Sequence, residues 1–96
     1  MARELFSLEG RNILVTGASR GLGLTLAGGL AEHGAHVILN ATNAELLEQR
    51  REEFRGAGLS CSVYPFDITD AGALEKAIAS LESEAGPIHG LITNAA

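Results

Sequence analysis

Three observations predict an α/β fold built on a parallel sheet. Short apolar runs alternate with amphipathic stripes, from Ile13-Leu14-Val15 through to Leu91-Ile92. The connections between them are short, which favours right-handed strand–helix–strand crossovers. The first apolar run passes into the first stripe through Thr16-Gly17-Ala18-Ser19-Arg20-Gly21-Leu22-Gly23, a glycine turn that joins a strand to a helix N-terminus.

The elements follow in order. Asn12 to Thr16 reads as a strand that is apolar on both faces and therefore central. Leu22 to His33 reads as a helix with Leu22, Leu26, Leu30 and Ala27, Ala31 on one side. Gly28-Gly29 inside it should cost about 1 kcal/mol each against Ala, so the helix either packs very closely there or tolerates the pair. Gly34 ends the helix, and Val37 to Leu39 is the second strand. Asn43 caps a second helix with a thin stripe, Leu46, Leu47, Phe54 and Ala57, closed by Gly56 and Gly58. Its charged stretch, Glu48, Arg50, Arg51, Glu52 and Glu53, reads as a solvated face paired at i,i+3 and i,i+4.

Ser60 to Phe66 is the third strand, in which Cys61 alternates with Val63 and reads as a small buried residue. Thr69 or Asp70 caps the third helix, whose stripe is Leu74, Ile78, Leu81 and Ala85. Gly86-Pro87 stops it, and Ile88 to Thr93 is the fourth strand. The strand order expected of a doubly wound sheet is 3-2-1-4, which leaves the fourth strand at an open edge, and the crossovers place the first two helices on one face and the third on the other. This is the first part of a doubly wound, Rossmann-like parallel sheet. Residues 1–96 read as one nucleotide-binding part of such a domain, truncated after the fourth strand.

Composition narrows the function classes. The chain is 46% hydrophobic and 4% aromatic, so its core is aliphatic. A net charge of −5 argues against a nucleic-acid partner, which needs a basic face. The single cysteine excludes an internal disulfide and a multi-cysteine zinc site. His33, His36 and His89 lack metal-ligand spacing and read as solvent or helix-end residues, so no metal is expected. There is no apolar run of bilayer length and no apolar h-region at the N-terminus. The expectation is a cytoplasmic protein without membrane or nucleic-acid partners.

Ligands of doubly wound sheets bind beyond the carboxyl ends of the strands. Here those ends are Thr16 to Gly23, Asn40 to Asn43, Phe66 to Thr69, and Thr93 to Ala96. The glycine turn suits a phosphate, because a helix N-terminus offers unpaired N–H groups and glycines admit the close approach of a pyrophosphate. Three residues separate Gly17 from Gly21, and one separates Gly21 from Gly23. A G-x-G-x-x-G reading fails at Leu26, and a P-loop reading fails for want of a Gly-Lys pair. The end of the second strand, Asn40-Ala41-Thr42, carries no carboxylate to take both ribose hydroxyls, and Glu45 already lies in the next helix. Arg20 supplies a guanidinium for a 2′-phosphate, with Ser19 and Thr42 as further donors. NADP is therefore expected in preference to NAD.

The pattern Thr-Gly-x-x-x-Gly-x-Gly resembles the cofactor loop of the short-chain dehydrogenase/reductase family. Asp67-Ile68 resembles the family's adenine-contacting pair. Leu91-Ile92-Thr93-Asn94-Ala95-Ala96 resembles its Asn-Asn-Ala-Gly segment, with Thr93 for the first Asn and Ala96 for Gly. The resemblance implies hydride transfer between NADP(H) and a carbonyl or secondary alcohol of a small-molecule substrate, by a homo-oligomer. It implies cofactor contacts at Gly17, Ser19, Arg20, Gly21, Leu22, Gly23, Asn40, Ala41, Thr42, Asp67, Ile68, Asn94, Ala95 and Ala96. Asp67 would accept from the adenine amino group, and the segment from Asn94 would border the cofactor ribose. The opening Leu5-Phe6-Ser7-Leu8-Glu9-Gly10, the run Leu24-Thr25-Leu26, Asn43-Ala44-Glu45, Phe66 to Asp70 and Gly86-Pro87-Ile88 resemble the gluconate 5-dehydrogenase (5-ketogluconate reductase) branch.

The family's chemistry also needs a serine and a Tyr-x-x-x-Lys pair. Tyr64 is followed four residues on by Ile68, and Lys76 is preceded by Gly72, so the pair is absent from these 96 residues and no catalytic residue is assigned. Three readings stay open: the cofactor-binding part of a longer oxidoreductase, a stand-alone nucleotide-binding module, and a truncated product without function.

Overall fold

A computed structural model describes residues 7–67 and 71–93. Four strands, β1 (Asn12–Val15), β2 (His36–Ala41), β3 (Cys61–Pro65) and β4 (Gly90–Ile92), alternate with three helices, α1 (Gly21–Glu32), α2 (Ala44–Gly56) and α3 (Ala71–Ala85). All strand pairs are parallel, and the order is β3-β2-β1-β4, as expected of a doubly wound sheet. Leu14 of β1 lies opposite Ile38 of β2 and Leu91 of β4, which makes β1 an interior strand.

Alternation along the strands divides the core into two layers. Ile13, Val15, Val37 and Leu39 face α1 and α2 and pack with Ala27, Ala31, Leu47 and Phe54. Leu14 and Ile38 face the opposite way and pack with Leu81 of α3, flanked by Leu74, Ile78 and Ile88. The two helix layers therefore fall on opposite faces, as expected. Asn43 caps α2 by accepting a hydrogen bond from the Leu46 N–H at 3.0 Å. Both residues proposed to cap α3, Thr69 and Asp70, lie outside the described residues.

Several local expectations are corrected. The buried side of α1 is Gly23, Ala27 and Ala31, whereas Leu22 and Leu26 are 64% and 39% exposed. Small residues at i, i+4 and i+8 let the helix approach the sheet closely, and Leu24 and Leu30 pack at its flanks. The apolar stripe is thus rotated away from Leu22 and Leu26. Gly28 and Gly29 meet nothing within 4 Å where a Cβ would stand, so the pair is tolerated and serves no close packing among the described residues. β2 runs beyond Leu39 because Asn40 and Ala41 pair with Tyr64 and Pro65. β4 is shorter than Ile88 to Thr93, since the Ile88 N–H donates to the Glu82 carboxylate at 3.1 Å instead of joining a ladder. His36 is not a solvent residue. It opens β2 half-buried, its Nδ1 bonded to the Ser60 hydroxyl and its Nε2 to that of Ser62 at 2.8 Å. Cys61 is only half-buried, and that burial is enough to push its thiol pKa up.

Candidate functional site

The turn from Thr16 to Gly23 sits at the carboxyl end of β1 and is fastened on three sides. The Thr16 N–H donates to the carbonyl of Ile92 at 2.9 Å, tying the turn to the end of β4. The Ala18 N–H donates to the carbonyl of Asn40 at 2.9 Å, tying it to β2. The Ser19 carbonyl accepts from Nε of Arg50, on α2, at 2.7 Å. Thr16 and Ala18 are buried while Arg20, Gly21 and Leu22 are exposed, so the turn rises out of the core towards the start of α1. Gly17 and Gly21 have φ of 60° and 63°, the left-handed region that favours glycine. Those two positions let the chain reverse between strand and helix.

The N-terminus of α1 is open. Arg20 is its N-cap residue, in extended conformation, and makes no side-chain cap hydrogen bond. No acidic residue lies in the first turn. A side-chain bond in the first turn points the other way, with the Thr25 hydroxyl donating to the Gly21 carbonyl at 3.2 Å. A Cβ at Gly21 would meet nothing within 4 Å among the described residues. Main-chain N–H groups and a positive helix end favour an anion here by elementary electrostatics. The residues present fit the phosphates of a dinucleotide.

The other predicted residues gather round this turn. Asn40 is buried, and its side chain faces β3: the amide nitrogen donates to the carbonyls of Tyr64 at 2.8 Å and Phe66 at 3.0 Å. With its own carbonyl engaged by Ala18, Asn40 joins the ends of β1, β2 and β3. Ala41 is half-buried at the last position of β2, and Thr42 is exposed just beyond it. Asp67 is exposed two residues past the end of β3. Ser19 is half-buried within the turn, and Gly23 is buried where α1 meets the sheet. Ile68, Asn94, Ala95 and Ala96 lie outside the described residues. A separate cavity of about 610 Å³ opens between β3 and α3, lined by Tyr64, Phe66, Lys76 and Ser80 among others, and none of the glycine-turn residues borders it.

Sequence reasoning missed one residue. Arg50 lies in a charged stretch indistinguishable by composition from a solvated face, yet it reaches a backbone carbonyl 31 positions away. Asn40, read from the sequence as a cofactor contact, braces the neighbouring strand end through its side chain, a contact that an amide in an otherwise apolar strand signals. No helix among the described residues is long and apolar enough to cross a membrane.

Comparison with known proteins agrees with this geometry. The short chain dehydrogenase family pattern matches residues 11–96. Gluconate 5-dehydrogenase of Gluconobacter oxydans (strain 621H) is 52% identical over 92 residues, covering 96% of this chain and 36% of that protein. The 5-keto-D-gluconate 5-reductase of Escherichia coli (strain K12) is 39% identical over 92 residues, with the same two coverages of 96% and 36%. The crystal structure of a gluconate 5-dehydrogenase from Burkholderia cenocepacia J2315, in complex with NADP and tartrate, superposes with a TM-score of 0.84. It is 38% identical and is covered over 36% of its length by 95% of this chain. The chain thus spans about a third of the length of these relatives. The match over residues 11–96 and the shared parallel sheet place the chain in the short chain dehydrogenase family, where it resembles the gluconate 5-dehydrogenase branch.

Proposed function

We propose that residues 1–96 form the nucleotide-binding part of an NADP-dependent oxidoreductase that interconverts a carbonyl and a secondary alcohol on a sugar acid of the gluconate/5-ketogluconate class. The observation that carries this reading is the open N-terminus of α1, presented by a glycine turn that three hydrogen bonds hold in place. Gly17, Gly21, Leu22 and Gly23 would cradle the pyrophosphate with main-chain N–H groups. Arg20, Ser19 and Thr42 would take the 2′-phosphate, at a strand end, Asn40-Ala41-Thr42, that itself carries no carboxylate. Asp67 and Ile68 would meet the adenine, and Asn94, Ala95 and Ala96 the ribose. NADPH, once bound, supplies the hydride. The chain's own residues bind and orient it, and a serine and a Tyr-x-x-x-Lys pair supplied elsewhere in a longer polypeptide would handle the proton.

The relatives' names support the substrate class, and the bound NADP in the Burkholderia structure supports the cofactor. The second reading is a nucleotide-binding module without catalysis. Assay of the complete gene product with NADPH and 5-ketogluconate separates the two. Oxidation of NADPH dependent on 5-ketogluconate is expected. Turnover of other carbonyl substrates only would overturn the sugar-acid assignment, and dinucleotide binding with no turnover on any carbonyl would establish the module.

A further inference from the structure

We propose that Arg50 is a positioning residue for the dinucleotide, setting the glycine turn through the Ser19 carbonyl without touching the ligand; this rests on the nucleotide-binding reading above. Nε of Arg50 donates to that carbonyl at 2.7 Å. Nη1 lies 3.1 Å from both carboxylate oxygens of Glu53, which fixes the guanidinium plane and therefore the direction of the Nε–H. The side chain is only 23% exposed, while Glu53 stands at 58%, so the fork is held from the solvent side and points inwards. The other two arginines of α2 behave differently. Arg51 pairs with Glu48 at 2.9 Å and Arg55 with Glu52 at 3.4 Å, each along the helix surface.

The consequence follows from peptide planarity. In a trans peptide the carbonyl of one residue and the N–H of the next point in opposite directions. Holding the Ser19 carbonyl towards α2 therefore turns the Arg20 N–H away from α2, at the N-cap position of the open helix end. Thr16 and Ala18 fasten the turn to the sheet through their N–H groups, before the chain leaves it. Arg50 supplies the bond nearest the helix start, on the residue next to the N-cap. Without it, the Ser19–Arg20 peptide loses the bond that sets its orientation. A planar fork can serve Ser19 and Glu53 together, whereas an ammonium presents a point charge with no fixed direction.

A positioning role through the turn acts on the pyrophosphate, which NADPH and NADH share. A direct ionic role acts on the 2′-phosphate, which only NADPH carries. Calorimetric titration of the complete gene product and its Arg50→Met variant with both dinucleotides distinguishes them. Both dissociation constants should rise at least fivefold, with their ratio within twofold of wild type and the melting temperature of the unliganded protein little changed. Affinities within twofold of wild type would overturn the proposal, as would a loss confined to NADPH. Should Arg50→Met fail to fold, Arg50→Lys keeps the charge and the aliphatic stem. It should weaken both dinucleotides at least threefold, and unchanged affinity in that variant would overturn the proposal. A wild-type protein that binds neither dinucleotide would instead overturn the nucleotide reading, and the inference with it.

Discussion

The N-termini of α1 and α2 lie at the same end of the sheet and follow neighbouring strands, yet they are built in opposite ways. At α2, Asn43 accepts from the Leu46 N–H at 3.0 Å and Glu45 lies in the first turn, so the helix satisfies and neutralises its own positive end. At α1, the N-cap is an extended Arg20 without a cap bond, the first turn has no acid, and the approach runs through glycines at positive φ. A capped end is a finished structural joint. An uncapped end held rigidly from behind leaves its donors for a ligand. The difference lies in a few residues, Asn43 and Glu45 against Arg20, Gly21 and Gly23.

Making α1 like α2 should produce the largest effect. Leu22→Asp puts a carboxylate in the first turn of α1, where Leu22 is exposed and makes little use of its side chain. Two like charges about 4 Å apart repel by about 4 kcal/mol at an effective dielectric constant near 20. Solvent exposure reduces that, and roughly a hundredfold loss of affinity for NADPH and NADH alike is expected. The melting temperature of the unliganded protein should hold or rise, because an acid at a helix N-terminus stabilises it by about 0.3–1 kcal/mol. Retained affinity in titration calorimetry would show that the dinucleotide does not sit on this helix end.

A somewhat smaller, selective effect is expected at Arg20. Arg20→Ala should cost NADPH about 1.5–3 kcal/mol of binding free energy, the value of one charge-assisted hydrogen bond, and leave NADH nearly unchanged. Equal losses would assign Arg20 to the pyrophosphate or to the fold. The reciprocal change tests the capped helix. Asn43→Ala removes the α2 cap and should destabilise the protein by about 1 kcal/mol in denaturant unfolding, without altering the ratio of the two dinucleotide affinities.

How much of this was legible in the sequence depends on whether the information is local. The spacing of Gly17, Gly21 and Gly23, the Asn43 cap and the Leu74, Ile78, Leu81 stripe are local patterns with single physical causes, and the structure reproduces the sheet order they imply. The buried side of α1 was misread at Leu22 and Leu26. Leucine dominates a hydrophobicity pattern, while the contact with the sheet uses Gly23, Ala27 and Ala31 because small residues allow close approach. The side-chain partners of Arg50 and Asn40 were illegible, since each contact is made to a backbone carbonyl supplied by a segment distant in sequence. Periodicity and motif spacing carry no record of such contacts.

The smallest effect lies at the opposite end of the strands, where His36 opens β2. Burial lowers its pKa from 6.5, so the folded state favours the neutral ring and the unfolded chain binds the proton more readily. Stability from this group is fully present above 6.5 and declines as pH falls below it. Unfolding measured across that range should show a slope that His36→Asn flattens. Dinucleotide affinity measured at neutral pH should not change in that variant, because His36 lies at the amino end of its strand, away from the turn.

The central claim is that the open end of α1 holds a dinucleotide whose 2′-phosphate is welcomed. The most direct measurement is titration of the complete gene product with NADPH and NADH in the same buffer and salt. The account predicts binding of both, with NADPH at least tenfold tighter, the equivalent of about 1.4 kcal/mol. Binding of neither, or tighter binding of NADH, would contradict it.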